Sequence, residues 1–396
     1  MKQYDRICAY IDLDALHSNL NAMKNNMKPG VKMMGVIKTD GYGHGAVPIA
    51  WEMEPLDYVY GFATATVEEA VQLRKEGIKK PVLILGYSFP YSYPLLAEYN
   101  ITPSVFKLQT LKLLNSTGKE RGIRIPVQIK VDTGMSRIGI FPDDQGLHFV
   151  KQALSCENLE VTGIFTHFAR ADETDKSFSN HQHQIFMDFV HRCEKELSYT
   201  FPCVHCSNSP GIIDMPYANE DMVRAGISLY GLWPSAEVSR TAVPLKPILT
   251  LKSHITYIKE LDKGTPVSYG GTYITSKKTR VATIPAGYGD GYPRTLSNAG
   301  SVIIHGKKVP VIGRICMDQF MVDVSECSCS EGDEVTLIGT DGDCSITMEE
   351  LGDLSGRFNY ELACDLGKRI PRVYLKNGKA VYVKDYNEDV KVQILS

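Results

Sequence analysis

Residues 31–45 read VKMMGVIKTDGYGHG, an apolar run that reaches Lys38 and turns at once into Gly41, Tyr42, Gly43, His44 and Gly45. Such a run is a buried strand, and the glycines after it let backbone approach whatever the lysine holds. The lysine then stands at the rim of a sheet. An amine attacks an aldehyde only after losing its proton, and partial desolvation in a barrel mouth favours that loss. The chemistry suggested is a Schiff base. Alone, the pattern equally fits a lysine that marks where a strand meets solvent. A nicotinamide-binding fingerprint fits poorly, because the glycines run G-x-G-x-G and no acidic residue clearly ends the next strand.

Outward from this stretch, strand and helix signals alternate. Strands are expected at 31–38, 58–63, 81–86, 101–105, 126–132, 159–166, 203–207 and 222–230, with helical periodicity at 14–27, 67–76, 108–118, 143–155 and 180–197. Strict alternation predicts a closed parallel (β/α)8 barrel of the TIM type, with an open doubly wound sheet as the alternative. Barrel strands point alternate side chains at the helices and into the lumen. In PVQIKVD, Val127, Ile129 and Val131 face the helices, which sends Gln128, Lys130 and Asp132 inward. In MVRAGISLYG the same rule turns Val223, Ala225, Ile227 and Leu229 outward and Arg224, Gly226 and Ser228 inward. Unpaired buried charges cost several kcal/mol each, so Lys130 and Arg224 need partners inside, and a bound anion or polar cofactor supplies them simply.

Helical periodicity fades after about residue 236. The segments LTLKSHITYIKEL, RVATIPAGY, SVIIHGKKVPVIG, MVDVS, DEVTLIGT and AVYVK, separated by turn residues, predict a mainly β domain with one helical stretch around MEELGDLSG. The expected division is a barrel over 11–236 and a β domain made of 1–10 and 237–396. The 43 basic and 46 acidic residues leave a net charge of -3 with no long basic run, which argues against nucleic acid. Asp5, Arg6, Asp12 and Asp14 sit where a signal peptide needs an apolar core, and no stretch is long enough to span a bilayer, so a cytoplasmic chain without a membrane partner is expected. The ten cysteines are scattered as reduced thiols would be. Cys203 and Cys206 form a C-x-x-C, but no second pair or matching histidines complete a zinc site, and no metal is expected.

Taken together, VIKTDGYGHG, KVDTGMSRIG, GIFTHFARAD, CSNSPG, MVRAGISLYG, VSYGGTY, TIPAGYGDG, IGRICMDQFMVDV, NYELAC and RIPRVY resemble the alanine racemase family in order and spacing. These are pyridoxal 5'-phosphate (PLP) enzymes with a barrel followed by a β domain. One departure is Thr39-Asp40-Gly41, where the family usually has an Ala-Asn-Ala type of sequence. The resemblance implies that Lys38 holds PLP and, with Tyr269, carries protons to and from the substrate. Racemisation removes the α-proton from one face and returns it on the other, which requires two such groups. It further implies that His167 contacts this tyrosine and that Arg224 faces the pyridine nitrogen. The phosphate would be bound by Tyr42, Ser209, Gly226, Ile227 and Tyr360, with Asn208 orienting the loop. Arg137 would hold the cofactor's phenolic oxygen and the substrate carboxylate, beside a Lys130 that is carbamylated in many members. Met317 and Asp318, like Tyr269, would enter from the other subunit of a homodimer with two shared sites. The substrate implied is L- or D-alanine, serving bacterial cell-wall peptide. A serine or broad-specificity racemase is one alternative, although members favouring serine tend to lack the tyrosine at Tyr360. A PLP-binding barrel protein without turnover is the other, although those relatives generally lack the second domain.

Overall fold

The computed structural model describes residues 4–387 and the backbone of residues 393–394, so the expected β domain runs beyond the described residues at both chain ends. Its first strand, β1 (Ile7–Asp12), does not enter the barrel. It pairs antiparallel with Leu249–His254 and parallel with Arg372–Lys376, inside a sheet of twelve strands among the described residues. The alternation ICAYID explains the placement: Ile7, Ala9 and Ile11 bury one face in the main core, and Cys8 packs the other against Val373 and Val383. Asp12 then turns the chain, its carboxylate capping the helix Leu13–Asn26 by accepting from the Ala15 amide at 2.9 Å.

The eight expected strands follow as β2 (Lys32–Val36), β3 (Val59–Thr64), β4 (Val82–Ile84), β5 (Thr102–Val105), β6 (Ile125–Lys130), β7 (Leu159–Phe165), β8 (Val204–His205) and β9 (Met222–Ala225). They are parallel neighbours from β8 round to β2, and β2 continues to β9. Two backbone bonds bring β9 back to the β8 edge, from Asp221 N to Val204 O at 3.1 Å and from Arg224 N to Ser207 O at 2.9 Å. The barrel is nearly closed, which removes the open-sheet alternative. Along β6 the alternation holds, with Val127 and Ile129 in the apolar core and Gln128 and Lys130 buried in the lumen.

Two expectations need correction. The last barrel strand ends at Ala225 rather than 230, because the chain breaks at Gly226 into the 3-10 turn Ile227–Tyr230. Period-two alternation therefore lapses, and Ile227 lines the central cavity instead of facing outward. The single helical stretch near residue 350 is two helices, Met348–Ser355 and Asn359–Asp365. The second of these leans against the turn after β2. Among the described residues no helix is long and apolar enough to cross a membrane.

Candidate active site

Lys38, Lys130, Arg137, His167, Asn208, Ser209, Arg224, Gly226 and Ile227 all sit at or just past the C-terminal ends of barrel strands, where barrels carry their sites. Together with Tyr42 and Tyr360 they line one cavity of about 540 Å³. Tyr360 comes from the helix Asn359–Asp365, and its ring meets that of Tyr42 edge-on at 6.0 Å.

Lys38 follows β2 by two residues and opens an unusual turn. Thr39, Asp40, Gly41 and Tyr42 all have φ between 50° and 64°, a left-handed run that costs about 1–2 kcal/mol for each residue bearing a Cβ. The turn closes through Gly43, whose carbonyl accepts from Arg372 Nε at 3.1 Å, while the Tyr374 hydroxyl donates to His44 O at 2.9 Å. Burial, and then the charge of Arg137, pull the Lys38 amine below its ordinary pKa.

Arg224 organises the lumen. It is buried and donates to His205 Nδ1 at 2.7 Å, to Thr166 O and Cys206 O at 2.8 Å, and to His167 Nδ1 at 3.2 Å. Arginine has no acceptor, so both histidines receive on Nδ1 and carry their proton on Nε2. His205 passes the assignment on, donating from Nε2 to Gln128 Oε1 at 2.8 Å. Burial first, and the Arg224 charge second, keep both rings neutral with pKa values well below the ordinary range. Burial also lowers Arg224 itself to about 10, which leaves it protonated at neutral pH. Its Nε has no acceptor among the described residues. Lys130 is buried beside this group, 4.8 Å above the Phe165 ring, and among the described residues only the Val131 carbonyl, at 3.3 Å, accepts from it. Burial and the charges of Arg224 and Arg137 push its pKa well down.

Across the cavity, Ser209 Oγ accepts from Gly226 N at 3.0 Å and Ser228 N at 3.4 Å, which frees its own proton to donate outward. A Cβ added to Gly226 would come within 3.2 Å of Tyr42 Oη and 3.6 Å of Ser209 Oγ, so the missing side chain leaves a cradle of hydroxyls. Asn208 ties the loop together, accepting from Gly211 N at 3.2 Å and donating to Phe168 O at 3.4 Å. Burial holds Tyr42 and Tyr360 above the usual phenol range, and both remain donors.

Three expected residues lie elsewhere on this chain. Tyr269 is 70% exposed, Met317 is 52% exposed, and Asp318 is exposed and paired with Arg369 at 2.8 Å. None of them lines the cavity. Sequence reading also missed supports of the site. His205 was hidden inside CVHC, although the inward phase of β8 carried the signal. Glu69 accepts the Thr39 amide at 2.6 Å while its other oxygen accepts from the Ala65 amide at 2.8 Å and the Thr66 amide at 3.3 Å, closing a capping box on the helix Val67–Lys75.

The sequence pattern described as "Alanine racemase, N-terminal domain" matches residues 11–234, and "Alanine racemase, C-terminal domain" matches residues 248–374. An alanine racemase of Desulforamulus reducens is 42% identical over 93% of this chain and 99% of its own length. The solved alanine racemase of Clostridium difficile 630 superposes with a TM-score of 0.92 at 37% identity, covering 97% of this chain and 100% of that one. That of Bartonella henselae, solved with covalently bound pyridoxal phosphate, does so with a TM-score of 0.81 at 28% identity, over 94% of this chain and 100% of that one. The barrel, the β domain and the cavity between them are those of a known lineage, and the chain belongs to the alanine racemase family.

Proposed function

We propose that alanine racemisation by this chain uses two proton carriers on opposite faces of the substrate, Lys38 from the barrel and Tyr269 from a second copy, with PLP as cofactor. The observation that carries the reading is the convergence of Lys38, Arg224, His167, Tyr42, Ser209 and Tyr360 on one cavity. The donor set fits PLP. The Gly226 cradle with Ser209, Tyr42 and Tyr360 suits a phosphate, Arg224 Nε suits a ring nitrogen, and Arg137 suits the phenolic oxygen and the substrate carboxylate. PLP bound there would supply an electron sink for the pair left on the α-carbon when its proton departs.

The chain's own groups do the rest. Burial and the Arg137 charge lower the Lys38 pKa and so favour the neutral amine that would take a proton on one face. His167, neutral with its proton on Nε2, is a donor that would steady the Tyr269 oxygen on the other face. Arg224 stays protonated and so would donate to the ring nitrogen without transferring a proton, which would weaken the sink and suppress side reactions such as transamination. Burial and the neighbouring positive charges favour the neutral amine of Lys130, the form that attacks carbon dioxide: a C–N bond would form as one C=O bond opens, a proton would leave, and the carbamate anion produced would orient Arg137. Electron density at Lys130 Nζ at high bicarbonate tests this, and a bare amine there refutes it. Met317 and Asp318 would complete the partner's side of the site in a head-to-tail homodimer. The product fits a cytoplasmic supply of D-alanine for cell-wall peptide.

The test is proton exchange in deuterated water. With PLP and L-alanine, α-deuteration and D-alanine should appear together, with little change in L-serine. Faster serine conversion would reassign the substrate. A yellow protein inert to both would leave only cofactor binding.

A further inference from the structure

Asp40 is the second residue of the left-handed run, and it does not line the cavity that Lys38 and Tyr42 share. Its carboxylate accepts from Lys384 Nζ at 2.7 and 3.0 Å, from the Tyr386 hydroxyl, and from the Ala46 amide at 2.9 Å. Lys384 ends the strand Lys379–Lys384, which runs antiparallel to Arg372–Lys376. Both partners lie beyond residue 374, where the match to the family's C-terminal domain stops. The Tyr386 ring is held in turn by the Arg372 guanidinium, 5.3 Å from its centroid, and Arg372 also bonds the Gly43 carbonyl. On the opposite flank Glu69 takes the Thr39 amide.

These contacts grip a segment that would not hold its shape alone. Five consecutive left-handed residues, Thr39 to Gly43, relax toward ordinary backbone unless their surroundings over-determine them. Lys38 precedes the run and Tyr42 lies near its end, with Asp40 midway between the two. Movement at Asp40 therefore displaces the amine and the hydroxyl together. A carboxylate has two acceptor oxygens for an ammonium, a phenol and an amide at once, whereas a carboxamide would present a donor to one of them.

We propose that Asp40, Lys384 and Tyr386 form a positioning clamp, in which the last part of the chain fixes the left-handed turn so that Lys38 and Tyr42 face the same cavity. The proposal rests on the reading that this cavity takes PLP. None of the three lines that cavity, so they act through the backbone.

The test is a titration of the cofactor-free full chain with PLP, followed by fluorescence, with thermal midpoint and alanine kinetics measured alongside. Asp40→Asn and Lys384→Met should each weaken PLP affinity by at least about fivefold and lower kcat, with KM within about twofold of native, because the turn is only slightly displaced. Tyr386→Phe, which keeps the ring, should do so to a smaller extent, and Lys384→Arg should recover most of the loss. The double variant Asp40→Asn with Lys384→Met should be no weaker than the poorer single within about twofold, since both cut one link. Affinity within about twofold of native in all three single variants, even with lowered thermal midpoints, would make the contacts merely structural and overturn the clamp, and so would additive losses in the double variant. No PLP uptake by the native chain would overturn the cofactor reading and the clamp together, whereas native uptake with unaffected variants would remove the clamp alone.

Discussion

Arg224, a donor with no acceptor, decides where the protons sit on His167 and His205, and burial then keeps both rings uncharged. His44 reaches the same state by another route. Its Nδ1 donates to Tyr42 O at 2.8 Å, and burial drops its pKa to about 4 from an ordinary 6.5. The consequence for stability has a definite sign. As pH falls below 6.5 the unfolded chain takes up these protons first, so stability is full above that value and is lost as pH falls toward the native values. His44 alone should remove about 2 kcal/mol by pH 5. Urea melts at pH 7.5 and 5 should show the midpoint falling, and an equal midpoint at both would refute the assignment. Part of this was legible beforehand: the inward phase of Gln128, Lys130 and Arg224 follows from period two alone. The histidine protonation was not, because it depends on which strand faces which across the lumen.

At the scale of elements, the barrel and the β domain meet where the turn after β2 touches the helix Asn359–Asp365. Gly43, at φ 79°, is a point of close approach there, and a Cβ on it would lie 2.1 Å from the Ala363 carbonyl oxygen. Gly43→Ala should cost on the order of 3 kcal/mol, since it adds a backbone clash to a left-handed residue. Gly77 is the control, with φ 89° and open space around it, and its alanine variant should lose only about 1 kcal/mol. Equal losses in chemical denaturation would show that the domain contact contributes nothing. The barrel strands could be read from the sequence because each is an apolar run bounded by turn residues. The helix Asn359–Asp365 could not, because seven residues of mixed polarity span barely two turns and leave no periodicity to detect. β9 was overextended for the opposite reason, since ISLYG continues an apolar pattern that the backbone abandons at Gly226.

For the whole molecule, a cavity rich in donors lies on one part of the surface and an exposed Tyr269 with Met317 on another, the separation that the proposed sharing between two copies requires. If two copies complete each other, mixing inactive Lys38→Ala and Tyr269→Ala chains should restore activity. Random exchange gives one intact site in half of the dimers, hence about a quarter of native turnover. No recovery after confirmed exchange would place both carriers on one chain. The division is what the family resemblance implies, whereas the fold of one chain shows only the separation. β1 carries a different consequence, for synthesis. Ile7 pairs with Ser253 and Ala9 with Arg372, so β1 has no partner strand until residues 249–254 have been made and lacks its second until residues 372–376 follow. The helix that follows it must dock on the barrel while β1 waits unpaired, and such long-range closure is slow and exposes an open strand edge meanwhile. The β domain of this protein cannot close before its last strands are made, because β1 completes its pairing only when residues 372–376 arrive.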